Sequence, residues 1–249
     1  GKWLLKIPLL SDQVLTITFN DPYDCYEGLI GFDLVPDTYR QTVLRRNASI
    51  LSPSQLREVT EALNTTTDEQ MSGTYKNILM GSEISHVGIC CLSENFDNLL
   101  MWSHYTGKHQ GVCLGLDVIM LRQYIAALYP VLIKVKYSQT FKKEEFFVDH
   151  RKALSNCFKT KAELWEYEKE IRIVLFQLTL NEDHQFLLNI GREVITEVYL
   201  GSEMQPEVEQ DIISICKESY PAARIYKMKL ADNSFSLIQE EYHQTLYRL

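Results

Sequence analysis

The feature that most limits the fold is a change of hydrophobic period after residue 85. "HVGICCLS" (His86 to Ser93), "GVCLGLD" (Gly111 to Asp117), "VLIKVKYS" (Val131 to Ser138) and "EIRIVLF" (Glu170 to Phe176) are short, apolar or β-branched, and bounded by turn formers. Each predicts a strand. The chain before them carries helix signals instead. Ser52, Pro53 and Gln55 stand in the order of an N-cap, an N1 proline and a capping-box partner, and "DEQMSGTYKNILM" continues as a second helix. Phe141 to Ala162 has the length and period of a helix, and a further helix is predicted from about Glu207 to Ser219. "QFLLNI", "REVITEVYLG" and "ARIYKMKLA" supply late strands. Strands interrupted irregularly by helices predict an α+β fold, with a mixed or antiparallel central sheet, or sheets, and helices packed on it. No repeat, low-complexity tract or Pro/Gly/Ser linker marks a boundary, so residues 1–249 read as a single domain.

Composition narrows the function classes. With 45% hydrophobic and 11% aromatic residues the chain can bury a sizeable core. A net charge of -8 argues against broad binding to a phosphate backbone, which relies on clustered Lys and Arg releasing counterions. The six cysteines show no C-x-x-C pair and no spacing that offers several thiolates to one metal, so reduced, buried, inert thiols are expected. Apolar runs such as "VGICCL" are too short to span a bilayer, and no secretory n-region opens the chain. A cytoplasmic protein that avoids membranes is the expectation.

"NLLMWSHYTGKHQGVCLGLD" (Asn98 to Asp117) gathers Trp102, His104, Tyr105 and His109. Leu99, Leu100, Trp102 and Tyr105 recur at helical spacings, which predicts a short helix running into a turn at Gly107. Aromatic residues supply packing area and a neutral histidine serves equally in a core or a site, so both readings are open. Polar edges and apolar faces in one place predict that the segment lines a cleft. A second stretch, "FNDPYDCYEG", opens on Asn20-Asp21-Pro22, a turn initiator whose side chains are expected to cap their own backbone, with Asp24 and Glu27 following.

"LWEYEKEIRIVLF" is sharper. On a strand, alternate residues share a face, which aligns Glu168, Glu170 and Arg172 against Lys169, Ile171 and Ile173. Two carboxylates and a guanidinium on one face belong to an exposed, ion-paired strand or to a charged rim at the end of a buried one. The apolar residues beyond favour the rim. Glu170 lies deeper toward them than Glu168, which makes it the candidate essential acid.

These stretches, in this order and wording, resemble the bacterial family of domain of unknown function 2971. Its members typically read as an aromatic-Asn-Asp-Pro-aromatic turn, a Ser-containing strand followed by Met-Trp-Ser-His-Tyr, and a Tyr-Glu-x-Glu-x-Arg strand. Here "FNDPYDC", "ICCLSENFDNLLMWSHYTGKHQGVCLGLD" and "WEYEKEIRIV" match, over a family-like core from about residue 19 to 201. Members usually open with a Tyr-Lys-Tyr-Arg-like strand and a helix, whereas "WLLKIPLLSDQVLTIT" stands before the turn here.

The order of parts also resembles that of ADP-ribosyltransferases, and that resemblance implies a site. It implies Lys6 as the basic residue of the first strand, and Ser93 with Trp102, His104 and Tyr105 around the nicotinamide of NAD. Glu168 and Glu170 become the late acidic pair, Arg172 a carboxylate or pyrophosphate partner, and Asn20 and Asp21 further contacts to NAD. Glu170, Glu168 and His104 are then the catalytic candidates, in a toxin or antiviral defence effector. NAD is the implied nucleotide substrate, no metal is expected, and a macromolecular acceptor, a cognate inhibitor or a defence-system partner completes the set. Two other classes compete. One is a metal-dependent hydrolase or nuclease in which Asp21, Asp24, His104, Glu168 and Glu170 bind a hard or borderline cation. The other is a non-catalytic sensor whose aromatic segment forms a binding groove.

Overall fold

The computed structural model describes residues 21–79, 84–178 and 190–242. Along these the chain forms β1 (Ile30–Gly31), α1 (Asp37–Ala48), α2 (Pro53–Thr65), α3 (Asp68–Ile78), β2 (Gly88–Ser93), α4 (Leu99–Tyr105), β3 (Val112–Leu116) and α5 (Val118–Ile125). It continues as β4 (Val131–Lys134), β5 (Lys136–Ser138), β6 (Glu144–Glu145), α6 (His150–Lys159), β7 (Thr160–Ala162), β8 (Glu170–Leu175), β9 (Ile195–Leu200), α7 (Pro206–Ser219), β10 (Arg224–Leu230) and β11 (Leu237–Glu241). The fold is α+β, with antiparallel and mixed sheets and packed helices. Among the described residues no helix is long and apolar enough to cross a membrane. The chain falls into two compact units. The described residues of 88–135 and 164–242 build the first, and those of 21–87 and 136–163 the second.

The first unit holds two sheets. A three-stranded antiparallel sheet runs β2-β8-β4, with Ser93 opposite Glu170 and Cys91 opposite Arg172. A four-stranded sheet runs β11-β10-β9-β3, in which β9 and β10 are parallel and the other pairs antiparallel. A parallel pair needs a crossover, and α7 lies in that connection. Successive side chains of β9 point to opposite faces, so each face of this sheet takes its own helix. Tyr199 joins Met101 and Trp102 of α4, while Val198 and Leu200 join Ile213 and Cys216 of α7. A third cluster packs Leu121 and Ile125 of α5 against Leu92, Ile173 and Leu175 of the smaller sheet.

The second unit is built on α1, α2, α3 and α6 with two short parallel strand pairs, β1-β6 and β5-β7. α2 starts at the predicted capping box, where Ser52 accepts from Gln55 N and the Gln55 side chain from Ser52 N. Thr67 and Gln70 repeat the device at α3. Arg40 of α1 donates to the Thr66 carbonyl at 3.0 Å and pairs with Asp68, tying three helices together.

Several boundaries differ from those the period predicts. Phe141 to Ala162 is not one helix: Glu144–Glu145 and Thr160–Ala162 are strands, and α6 occupies only His150–Lys159. The helix starts where Asp149 accepts from Lys152 N at 3.0 Å, a cap that fixes the first turn. "VLIKVKYS" breaks at Val135 into β4 of the first unit and β5 of the second. "QFLLNI" lies, up to Asn189, outside the described residues. The helices α1 and α5 and the strand β11 answer to no expectation from the sequence.

Candidate functional site

The start of β8 gathers the charged residues. Glu170 and Arg172 stand two apart on one strand face. Arg172 is 0% exposed and Glu170 4%. Arg172 donates from Nε to Glu170 Oε1 at 2.9 Å and from Nη2 to Oε2 at 3.1 Å. This two-toothed geometry is what a guanidinium removed from water requires.

Glu168 reaches the same region by another route. It is not part of the strand, as the alternation predicts, but ends a 3-10 segment (Glu163–Glu168), and Lys169 at φ 41° turns the chain into β8. Glu168 is buried, and its Oε1 accepts from the Tyr105 hydroxyl. Ser93, at the end of β2, donates from Oγ to the Glu168 carbonyl at 2.7 Å and accepts from Asn95 N at 3.0 Å. Glu94 N donates to the Lys169 carbonyl at 3.1 Å. The end of β2 thus anchors the turn that carries Glu168.

The helix α4 supplies the rings. Asn98 caps it, accepting from Leu100 N at 2.9 Å and Met101 N at 3.1 Å. Helical spacing then sends Trp102 inward, buried with its indole N–H donated to the Phe96 carbonyl at 2.6 Å, and leaves His104 exposed and Tyr105 half-buried. The His104 ring centre lies 6.2 Å from Trp165, and 6.4 Å from Tyr105 and Tyr167. Trp165 and Tyr167, 6.0 Å apart and half-buried, complete a ring set reachable from water. Tyr105 belongs to that set and also to Glu168. It is the link between the exposed rim and the buried carboxylates.

After α4, Gly107, Lys108 and His109 take φ of 60°, 61° and 66°, three left-handed residues in a row. His109 Nδ1 is buried and makes no hydrogen bond among the described residues, while Nε2 lies 3.4 Å from Ser103 Oγ. Gly201 must be glycine here, because a Cβ would lie 2.0 Å from the His109 carbonyl oxygen.

Asp21 and Asp24 belong to the second unit. Asp21 Oδ1 accepts from Tyr23 N at 2.9 Å, which closes the predicted turn, and its buried Oδ2 makes no hydrogen bond among the described residues. Asp24 forms an ion pair with Lys161 at 3.0 Å, both side chains buried. Lys6 and Asn20 lie outside the described residues. Among the described residues no group of three or more His, Cys, Asp or Glu is placed to hold a metal ion. Trp165, Tyr167 and Lys161 are absent from the sequence-based candidates. The two rings stand in "LWEYEKE", beside Glu168 and Glu170, whereas Lys161 lies in a stretch whose period predicts a helix and has no motif around it.

None of the six cysteines forms a disulfide. Burial pushes the Cys90 thiol from 9.0 up to about 12. Burial, with the Glu197 carboxylate adding to it, pushes Cys113 equally far, to about 12. Thiols held neutral in this way are poor nucleophiles.

Residues 101–173 match a family model described as "Protein of unknown function (DUF2971)". The resemblance to that family is thus supported. The matched segment runs from Met101 of α4 through Ile173 of β8, and so contains His104, Tyr105, Glu168, Glu170 and Arg172. No curated protein and no solved structure gives a significant match. The likeness to ADP-ribosyltransferases rests on the residues alone.

Proposed function

We propose that this chain is an NAD-consuming enzyme of the ADP-ribosyltransferase type, acting as a bacterial toxin or antiviral defence effector. The observation that carries the reading is the buried Glu170–Arg172 pair together with Glu168, which Tyr105 ties to a solvent-reachable ring set. In this reading the flat nicotinamide stacks among His104, Trp165 and Tyr167, with Trp102 as the packed support beneath α4. The glycosidic bond from ribose C1′ to the nicotinamide nitrogen breaks, and nicotinamide leaves with the bonding electrons. Glu170, fixed by two hydrogen bonds, stabilises the positive charge that grows on the ribose. A lone pair of the acceptor then bonds C1′, and its proton passes to Glu168. Arg172, with no exposed surface, acts by holding Glu170 in place. The reaction as proposed uses no metal.

The test measures nicotinamide release and transfer of label from NAD for His104→Ala, Trp165→Leu, Tyr105→Phe and Glu170→Gln, each with its melting temperature. Glu170→Gln keeps the shape and removes the charge, so a loss of about 100-fold or more in kcat is expected, in line with the loss of one electrostatic group. His104→Ala and Trp165→Leu should raise KM, because those rings reach the surface, whereas Tyr105→Phe keeps its ring and removes the hydroxyl that donates to Glu168, so it should lower kcat. A folded Glu170→Gln protein as active as the parent overturns the assignment. NAD turnover untouched by His104→Ala and Trp165→Leu overturns the nicotinamide site.

A further inference from the structure

The second unit contains a cavity of about 640 Å³ that the reaction above does not use. That volume lies in the range of small-molecule sites. Tyr39 of α1, Tyr75 of α3, Phe146 and Phe147 form the aromatic part of its apolar wall, beside aliphatic residues such as Val43 and Leu79. Their rings brace one another edge to face, with centres 5.5 Å apart for Tyr39 and Tyr75, 4.8 Å for Tyr39 and Phe147, and 5.4 Å for Tyr75 and Phe147. Phe32 stacks on Phe146 at 5.4 Å. A wall of rings held by their neighbours is set to receive a flat group without first ordering itself.

The polar side of the cavity is basic. Arg46 and His150 line it, and none of the described lining residues is acidic. Arg46 is exposed and has no ion-pair partner among the described residues, in contrast to Arg40 of the same helix, which is paired with Asp68. Thr42 Oγ1 and Asn47 Nδ2 each donate to a carbonyl of α1 at 2.8 Å, which leaves their oxygens to accept from a ligand's hydroxyls.

The geometry points to this cavity as a binding site for a nucleoside monophosphate. The base stacks against the ring wall, the phosphate takes the guanidinium of Arg46 with His150 beside it, and the ribose hydroxyls donate to Thr42 and Asn47. A purely apolar occupant would leave Arg46 unused, and inorganic phosphate would leave the rings unused. The site is confined to the second unit and stands independently of NAD chemistry at Glu170.

Calorimetric titration of the full chain with AMP, UMP, adenosine and inorganic phosphate tests this. At least one of the two nucleotides should bind saturably with one site per chain, and its nucleoside or phosphate half should bind about tenfold more weakly or worse, equivalent to about 1.4 kcal/mol. Arg46→Gln should weaken the nucleotide by about tenfold, while Arg45→Gln, one residue away and outside the cavity lining, and Glu170→Gln should leave it unchanged. No binding of either nucleotide, equal binding of nucleotide and nucleoside, or equal losses in Arg45→Gln and Arg46→Gln each overturns the site. Loss in Glu170→Gln with retention in Arg46→Gln moves nucleotide binding to β8 and also overturns it.

Discussion

Arg172 is the side chain whose placement most constrains its neighbours. A guanidinium with no exposed surface is stable only with its charge answered, and Glu170 answers it with both carboxylate oxygens. Removing one member of such a pair leaves the other charge buried, whereas replacing both by apolar groups is often close to neutral. Arg172→Leu is therefore expected to cost about 3–5 kcal/mol, and Glu170→Leu with Arg172→Leu to cost clearly less than the two single changes added together. Denaturant melts of the four proteins measure this. Additive losses would mean that the two side chains act separately. The sequence displays Glu168, Glu170 and Arg172 at once, but not their burial. That burial comes from the strands flanking β8, with Ser93 opposite Glu170 and Cys91 and Ile133 opposite Arg172, partners remote in the chain.

At the scale of elements, what is legible locally is what is determined locally. The start of α2 could be read from Ser52, Pro53 and Gln55 because the capping box lies within four residues, and α4 from the helical spacing of its apolar residues, whereas its Asn98 cap appears only in the structure. Ser52→Ala should accordingly cost about 1 kcal/mol, seen as a lower denaturation midpoint with an unchanged slope, while Ser52→Asp should retain most of the stability. An Ala variant as stable as the parent would show that neighbouring elements hold α2 without its cap. The stretch from Phe141 to Ala162 departs from the single helix its period predicts because its strands, β6 and β7, exist only through pairing with β1 and β5. Two or three residues of strand have no period of their own to detect. Glu168 shows the same limit: its route into the site depends on the left-handed Lys169, a conformation that lysine does not announce.

Across the whole chain, each unit is assembled from separated stretches, so β8 enters between β2 and β4 only after residues 136–163 have contributed to the second unit. The first unit also concentrates groups that burial keeps neutral. Cys90 and Cys113 are each raised from 9.0 to about 12, Cys216 is raised by burial, and Tyr199 is raised by burial and then by its hydrogen bond to Glu197. All four shifts have the same sign, which gives stability a direction in pH. Below about 9 both states hold these protons, and the contribution is fully present. Above it the unfolded chain releases thiol protons that the fold retains, so stability falls as pH rises toward 12, by up to about 1.4 kcal/mol per pH unit for each thiol. The melting temperature should decline steeply across that window. Cys90→Ala and Cys113→Ala together should flatten the decline, even where they lower the melting temperature at pH 8 by opening space in the core. Parallel curves for parent and double variant between pH 9 and 12 would show that the thiols do not drive it. A flat parent curve would mean that they ionise in the fold as readily as in the unfolded chain, against the burial of Cys113 beneath α4 and the packing of the partly buried Cys90 of β2 against the core.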